Sequence, residues 1–422
     1  MLGLLLARRG LSVTLLEAHK DFDREFRGNT ISPSVMEIME DLGLADRLLR
    51  LRHAKLPRFT LQSAEGSTVF ADFRRLRTRY PYMLMLPQAR FLELVAAEAR
   101  KHPNFRLVMG ARVKGLIEED GAVRGVLYRG PDGNREVRAR LTVGADGRFS
   151  RTRRLAGLEA VGGSPPMDVF WFDLPREPDD PEDAGAVFRL GAGSLLVLMD
   201  HSEHWQVGYI IKKGGFGRLR AAGLPALRRS VARLAPELAN RVQHLRGWRQ
   251  GSLLSVESDR LRRWHRPGLL LIGDAAHVSS PVGGVGINLA IQDAVAAAGV
   301  LAGPLETGRR LRVRDLAAVQ RRRERPTRLV QVAQALAQRW VVSGALDASG
   351  TYRLPILLRI LLRAPLSRDL FARLIAFGAW RVRPATEFRA NVAAGEVGPR
   401  RPAERVRSNP TDAAKVRHER SG

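Results

Sequence analysis

Residues 268–293 read GLLLIGDAAHVSSPVGGVGINLAIQD, and this stretch decides the fold. The uninterrupted apolar run Leu269–Ile272 predicts a strand buried on both faces, as in a parallel sheet. It delivers Asp274 to the carboxyl edge of that sheet, where open α/β folds hold ligands. The glycines of PVGGVGIN (281–288) let main chain approach a flat ligand closely. A helix opening near Ile287 turns its positive end toward whatever the loop holds. Read as a plain helix N-cap, Asp274 would leave the length of the glycine run without a reason.

Two other stretches repeat the theme. VGADGRFSRTRR (143–154) is again an apolar strand ending in Asp-Gly, and Asp146 can either face a ligand or cap the segment that follows. At the amino end, Leu2–Arg9 is helical in pattern, Gly10 stops it, and LSVTLLEA (11–18) is a strand ending in Glu17. Helix, turn and strand with a terminal acid form the second half of a βαβ dinucleotide-binding unit, in which that acid bonds ribose hydroxyls. The strand and G-x-G-x-x-G of its first half are not in the sequence, and this reading expects the start to lie upstream of Met1. RGNTISPS (27–34) follows, with Arg27 able to pair a phosphate.

Elsewhere the pattern alternates between strands and helices. Residues 57–86 and 187–260 read as strands of a sheet with one helix near 224–240, PDGN (131–134) as a hairpin turn in a meander, and 304–383 as helical. The fold class is therefore α/β. A Rossmann-like βαβ domain (1–56, 87–163 and 261–303) is interleaved with a mixed β-sheet domain (57–86 and 164–260). C-terminal helices (304–383) and a basic tail (384–422), predicted to be disordered, complete the chain.

The ordered set of Glu17, the Arg-Gly loop, MLPQARFLELV, GADGRFSRTRR and GDAAH…P-x-G-G-x-G-x-N resembles the FAD-dependent aromatic hydroxylases, the para-hydroxybenzoate hydroxylase-like flavoprotein monooxygenases. The likeness covers residues 1 to about 383. It implies FAD as cofactor, with Glu17 on the adenosine ribose, Arg27 in a loop near FAD and Gln88 by its phosphates. Val113 would make a main-chain contact to adenine. Asp146 would serve both FAD and NAD(P)H, and Asp274 the ribityl or pyrophosphate side. Pro281, Gly283, Gly284, Gly286 and Asn288 would lie beside the isoalloxazine. The implied reaction uses NADH or NADPH and O₂ to hydroxylate an aromatic or lipophilic small molecule through a flavin C4a-hydroperoxide. Two alternatives stay open: a flavin dehydrogenase or reductase of the same fold, and a truncated pseudoenzyme that binds FAD poorly. No side chain is singled out as a catalytic base, and His277 reads as a packed residue. The aromatic residues Phe170, Trp171, Phe172, Trp205 and Tyr209 are candidates for the substrate pocket or for sheet core.

Composition narrows the rest. The 422 residues contain no Cys, which excludes disulfides, thiolate metal sites and Cys nucleophiles, and no metal site is expected. No charge-free apolar run of 18 residues predicts a spanning helix, and no secretory signal is evident, so a cytoplasmic location is expected. The net charge is +27, of which residues 301–422 supply +15 (25 Lys/Arg against 10 Asp/Glu). With 6 % aromatics and no basic–aromatic interleaving, nucleic acid is not the expected partner. Residues 354–380 are amphipathic, with Arg359, Arg363, Arg368 and Arg373 among Leu and Ile, and predict weak contact with a membrane surface.

Overall fold

The computed structural model describes residues 1–23, 30–181, 185–191, 193–201, 203–348 and 352–389. Two short parallel pairs form the first half. Strand Val13–Leu16 pairs with Phe105–Val108, and Thr142–Gly144 pairs with Leu269–Leu271, which is fully buried as its unbroken leucines require. The helix Gly286–Glu306 joins the two halves. Its Ile291, Val295, Ala298 and Ala302 pack into the core built by Leu2–Arg8, Pro33–Asp41 and Gln88–Ala99. Its Ala294, Ala297 and Leu301 pack against Leu269–Ile272 and Trp264. Alanine on both sides allows close approach to two layers at once, which explains the composition of this helix. It is apolar and long enough to cross a membrane, yet it is mostly buried in protein and carries Asp293.

A seven-stranded mixed sheet stands beside this half. Its order is Gly251–Ser255, Met167–Pro175, His204–Lys212, Ser194–Asp200, Ala186–Gly191, Arg58–Ser63 and Gly66–Asp72. All pairs are antiparallel except Ala186–Gly191 with Arg58–Ser63. Met83–Met85, expected in this sheet, instead pairs with Thr30–Ile31 and Ala54–Leu56. Its three consecutive residues are all buried, a pattern that calls for cover on both faces but that either sheet could meet, so the choice is made by strands distant in the chain.

Strand alternation also divides the aromatic candidates. Phe170, Phe172, Trp205 and Tyr209 point to one face, under the helix Leu224–Leu234, where the Tyr209 hydroxyl bonds Ser230 at 2.8 Å. Trp171 points to the opposite face, with Phe188, Met199 and Val282. The C-terminal helices Ile356–Arg363 and Pro365–Phe377 cover that second face. Order continues past residue 383, where a tail was expected to begin. The turn Thr386–Phe388 buries Phe388 in the N-terminal core, with the Arg9 guanidinium over its ring at 5.4 Å. Ion pairs of Glu387 with Arg9 and of Arg383 and Arg389 with Asp41 hold the same residues.

Candidate functional site

The acids at the strand ends occupy different environments. Glu17 follows Val13–Leu16; its carboxylate accepts the His19 amide (3.0 Å) and lies 2.7 Å from the His19 ring. The amide of Ala111 donates to the Glu17 carbonyl, which places the strand Arg112–Glu119, and with it half-buried Val113, beside Glu17. Asp146 follows Thr142–Gly144. Its carboxylate accepts the Ser150 hydroxyl (2.5 Å), the Thr152 amide (2.8 Å) and the Thr152 hydroxyl (2.9 Å). These bonds tie the exposed Asp146 carboxylate to the turn before the helix Arg151–Leu155, whose N-cap is Ser150. Gln88 is the first residue of the helix Gln88–Ala99, directly after the strand that pairs with Thr30–Ile31, and Arg90 is exposed beside Glu93. Arg27 lies outside the described residues.

Asp274 sits half-buried in a single 3₁₀ turn, Gly273–Ala275, after the strand Leu269–Leu271. Gly273 has φ +58°, a conformation that favours glycine, and its amide donates to Asp293 Oδ2 at 2.9 Å. Asp293 is wholly buried and also receives His277 Nε2 (2.6 Å) and Arg323 Nε (2.7 Å). Burial alone would raise its pKa. The charges of His277 and Arg323, with their hydrogen bonds, outweigh that and bring it down to about 2. Arg323 further donates to Gln292 Oε1 at 3.0 Å, and the Trp264 ring packs on His277 at 4.8 Å. His277 is therefore a partner of a buried carboxylate, the packed role expected of it.

The glycine loop is bolted from two sides. Gly284 has φ +64°, and a Cβ there would meet Thr30 Oγ1 at 2.4 Å, so this residue permits the close approach. Thr30 Oγ1 donates to the Gly284 carbonyl at 3.0 Å. Buried Asn288 accepts the Ser32 amide (2.9 Å) and donates to the carbonyls of Thr30 (3.2 Å) and Gly284 (3.0 Å). Its side chain shapes the loop and is fully engaged in doing so. From the other side, Gln334 Nε2 donates to the carbonyls of Ser280 (2.8 Å) and Val282 (2.7 Å), and Gln331 Nε2 to those of Asp259 and Val278 (2.9 Å each). Gln338 donates to the Ser280 hydroxyl. These glutamines, with Arg323 and Asp293, are the residues that sequence reading passed over. Their spacing of three and four on one helix face was the available signal.

The structure thus forms two groups. Glu17 and Val113 lie together, while Asp274 and the loop Pro281–Asn288 lie together, with Asp146 on the adjacent paired strand. The loop opens the helix Gly286–Glu306, whose amino end faces it. The Ser279 hydroxyl beside the loop is buried with no hydrogen-bond partner among the described residues. A strand-end acid, a glycine cradle, a helix amino terminus and an unsatisfied hydroxyl suit a flat, phosphate-bearing dinucleotide. Beside them stands an apolar wall of half-buried Phe70, Trp171, Phe188, Met199 and Phe371, next to Val282 of the loop.

Residues 1–333 match the model of the family described as FAD binding domain. The chain is 35 % identical to the 6-methylpretetramide 4-monooxygenase of Streptomyces rimosus over 384 residues, 89 % of either chain. It is 26 % identical to the para-nitrophenol 4-monooxygenase of a Pseudomonas species, covering 76 % of this chain and 79 % of that one. Among solved structures, the anhydrotetracycline hydroxylase OxyS of Streptomyces rimosus shares the fold, with TM-score 0.68 at 23 % identity over 89 % of this chain and 72 % of its own.

Proposed function

The chain belongs to the FAD-dependent aromatic hydroxylases, and we propose that it adds one hydroxyl group to a fused-ring phenolic substrate. The stoichiometry is substrate–H + O₂ + NAD(P)H + H⁺ giving substrate–OH + H₂O + NAD(P)⁺. The observation that carries this reading is the 35 % identity, sustained over 89 % of both chains, to the 6-methylpretetramide 4-monooxygenase, alongside relatives named as anhydrotetracycline monooxygenases. A further relative is named aklavinone 12-hydroxylase, again a hydroxylase.

FAD, when bound, supplies the activation of O₂ and the transfer of one oxygen atom to the ring. Glu17 and the main chain at Val113 would hold its adenosine end, with Gln88 and Arg27 near its phosphates. Asp274 and the loop from Pro281 to Asn288 (Pro281, Gly283, Gly284, Gly286, Asn288) would hold the flavin end. Asp146 fixes the turn of the adjacent strand and acts on cofactor placement through that turn. Asp293 and Arg323 keep the Gly273–Asp274 turn in place. Trp171, Phe188 and Met199 give a planar substrate an apolar face to lie on and exclude water from the oxygen-transfer step.

The test is oxidation of NADH and of NADPH by the FAD-loaded protein, with and without anhydrotetracycline-like tetracyclic phenols, under ¹⁸O₂. Substrate-stimulated oxidation with one ¹⁸O in the product is expected. Turnover without ¹⁸O in the product would replace hydroxylation by a reductase reading. Activity on single-ring phenols alone would remove the fused-ring assignment.

A further inference from the structure

Ten of the fourteen large apolar side chains that stand exposed among the described residues fall between Leu329 and Trp380. They are arranged in stripes. Val332, Leu336 and Trp340 recur at four-residue steps along one face of the helix Val313–Ala337 and its π-turn continuation Gln338–Ser343. The opposite face of the same helix carries Val330 and the buried glutamines that bolt the glycine loop. In Ile356–Arg363, Leu358 and Leu362 point inward while Ile356 and Ile360 point out, 69 % and 62 % exposed. In Pro365–Phe377, Ala372, Ala376 and Phe377 point inward while Leu366 and Leu370 point out, 87 % and 64 % exposed. The Tyr352 hydroxyl donates to the Trp340 carbonyl and ties the first stripe to the segment that opens the second. The helices Ile356–Arg363 and Pro365–Phe377 are therefore apolar on the packed face and apolar again on the free face, and Val313–Ala337 with its continuation adds a third free apolar stripe, so a second apolar phase is needed to cover them.

Charge identifies that phase. Residues 321–381 contain twelve Arg and no Lys against three acids. The acids are engaged: Asp369 pairs Arg75, Asp347 pairs Lys212, and Glu324 accepts from Gln320. Arg353, Arg363 and Arg373 are exposed among the apolar stripes. Two copies face to face would bring two such basic surfaces together, which like-charge repulsion opposes. The residues beyond Arg389 contain no Leu, Ile, Met, Phe, Trp or Tyr and are themselves net basic, so they suit neither the apolar nor the electrostatic part of the surface. An anionic lipid surface suits both: acyl boundary for the stripes and phosphates for the arginines.

We infer that this helical face seats the protein on an anionic bilayer surface, with Ile356, Ile360, Leu366 and Leu370 in the interfacial layer and Arg353, Arg363 and Arg373 at lipid phosphates. The inference concerns where the protein rests and does not depend on the substrate. Sedimentation of the full chain with vesicles tests it at physiological salt, comparing phosphatidylcholine alone with phosphatidylcholine and phosphatidylglycerol in equal parts. Binding to the anionic vesicles should exceed that to the neutral ones by about tenfold or more. The variant Leu366→Glu/Leu370→Glu should lose at least about tenfold of that binding, with its circular dichroism and thermal unfolding retained. Arg363→Gln/Arg373→Gln should weaken binding to anionic vesicles and leave the neutral background unchanged. Equal binding to both vesicle types, absence of binding, or binding that survives both variants overturns the inference. So does a dimer, seen by light scattering, that the Leu366→Glu/Leu370→Glu variant separates, for a second copy would then be the occupant.

Discussion

Replacing Arg323 by Met removes the cation that faces Asp293 while keeping the aliphatic bulk of the side chain. Both groups are buried to within 1 % of completely, and the Arg323 Nε–Asp293 Oδ1 distance is 2.7 Å. Deleting one partner of such a pair leaves an uncompensated charge, a loss of about 3–5 kcal/mol. The charges and hydrogen bonds of His277 and Arg323 outweigh burial and hold the Asp293 carboxyl below its usual range, at about 2. A depressed carboxylate stabilises the fold above its unfolded pKa, so this contribution is present at neutral pH and fades as pH falls through 3.8 toward 2. Urea unfolding at pH 7 should therefore show Arg323→Met destabilised by about 3 kcal/mol, with a smaller difference from the parent near pH 3. Because Asp293 also holds the Gly273 amide, FAD affinity measured by quenching of flavin fluorescence should fall about tenfold. Asp293→Asn/Arg323→Met should lose less than the two single losses added together, since the second change removes the charge stranded by the first. An Arg323→Met protein as stable as the parent, with unaltered FAD affinity, would refute the assignment of this network to the Gly273–Asp274 turn.

Three further outcomes follow from the geometry. Gly284→Ala forces a Cβ to 2.4 Å from Thr30 Oγ1 at φ +64°; FAD affinity should drop about tenfold or more, read by the same fluorescence titration. Trp171→Ala should raise KM for the aromatic substrate by roughly tenfold with less change in kcat, whereas Trp205→Phe, on the far face with its indole on Asp180, should leave KM alone and cost about 1–2 kcal/mol in urea unfolding. Phe388→Ala should destabilise the protein by about 3–5 kcal/mol, and an unchanged urea midpoint would show that the last turn is not anchored in the core.

The sequence made the strands ending in Glu17, Asp146 and Asp274 legible because unbroken apolar runs followed by an acid and a glycine turn are dictated locally. The same local logic made the glycine loop and the Ala-rich helix readable. What escaped depends on partners far apart in the chain. That Asp146 is tied to the turn before its following helix depends on Ser150 and Thr152, and only the geometry shows all three bonds converging on it. The five aromatics of the sheet read as one set, although alternate residues on a strand face opposite ways, and Trp171 alone of the five faces the loop. Met83–Met85 read as more of the same sheet because nothing local says which of two sheets will cover it.

The partners of the glycine loop carry the argument one step further. Asp293 and Gln292 lie in the quoted stretch itself, yet their roles are set by Arg323, thirty and thirty-one residues on. Gln334 and Gln338 bind the loop from beyond residue 333, where the match to the FAD binding domain ends. The loop is thus held by a helix that sequence similarity assigns only in part to the cofactor domain. That helix carries the glutamines on one face and the exposed stripe Val332, Leu336 and Trp340 on the other. Any force that draws the outer face onto a surface acts on the same rigid element that fixes the Ser280 and Val282 carbonyls. Changes confined to the outer face should therefore leave FAD affinity intact, whereas Gln334→Ala, which frees two loop carbonyls, should weaken it by about tenfold without altering vesicle binding. If Gln334→Ala left FAD affinity unaltered, the loop would owe its shape to Thr30, Asn288 and Gln338 without it.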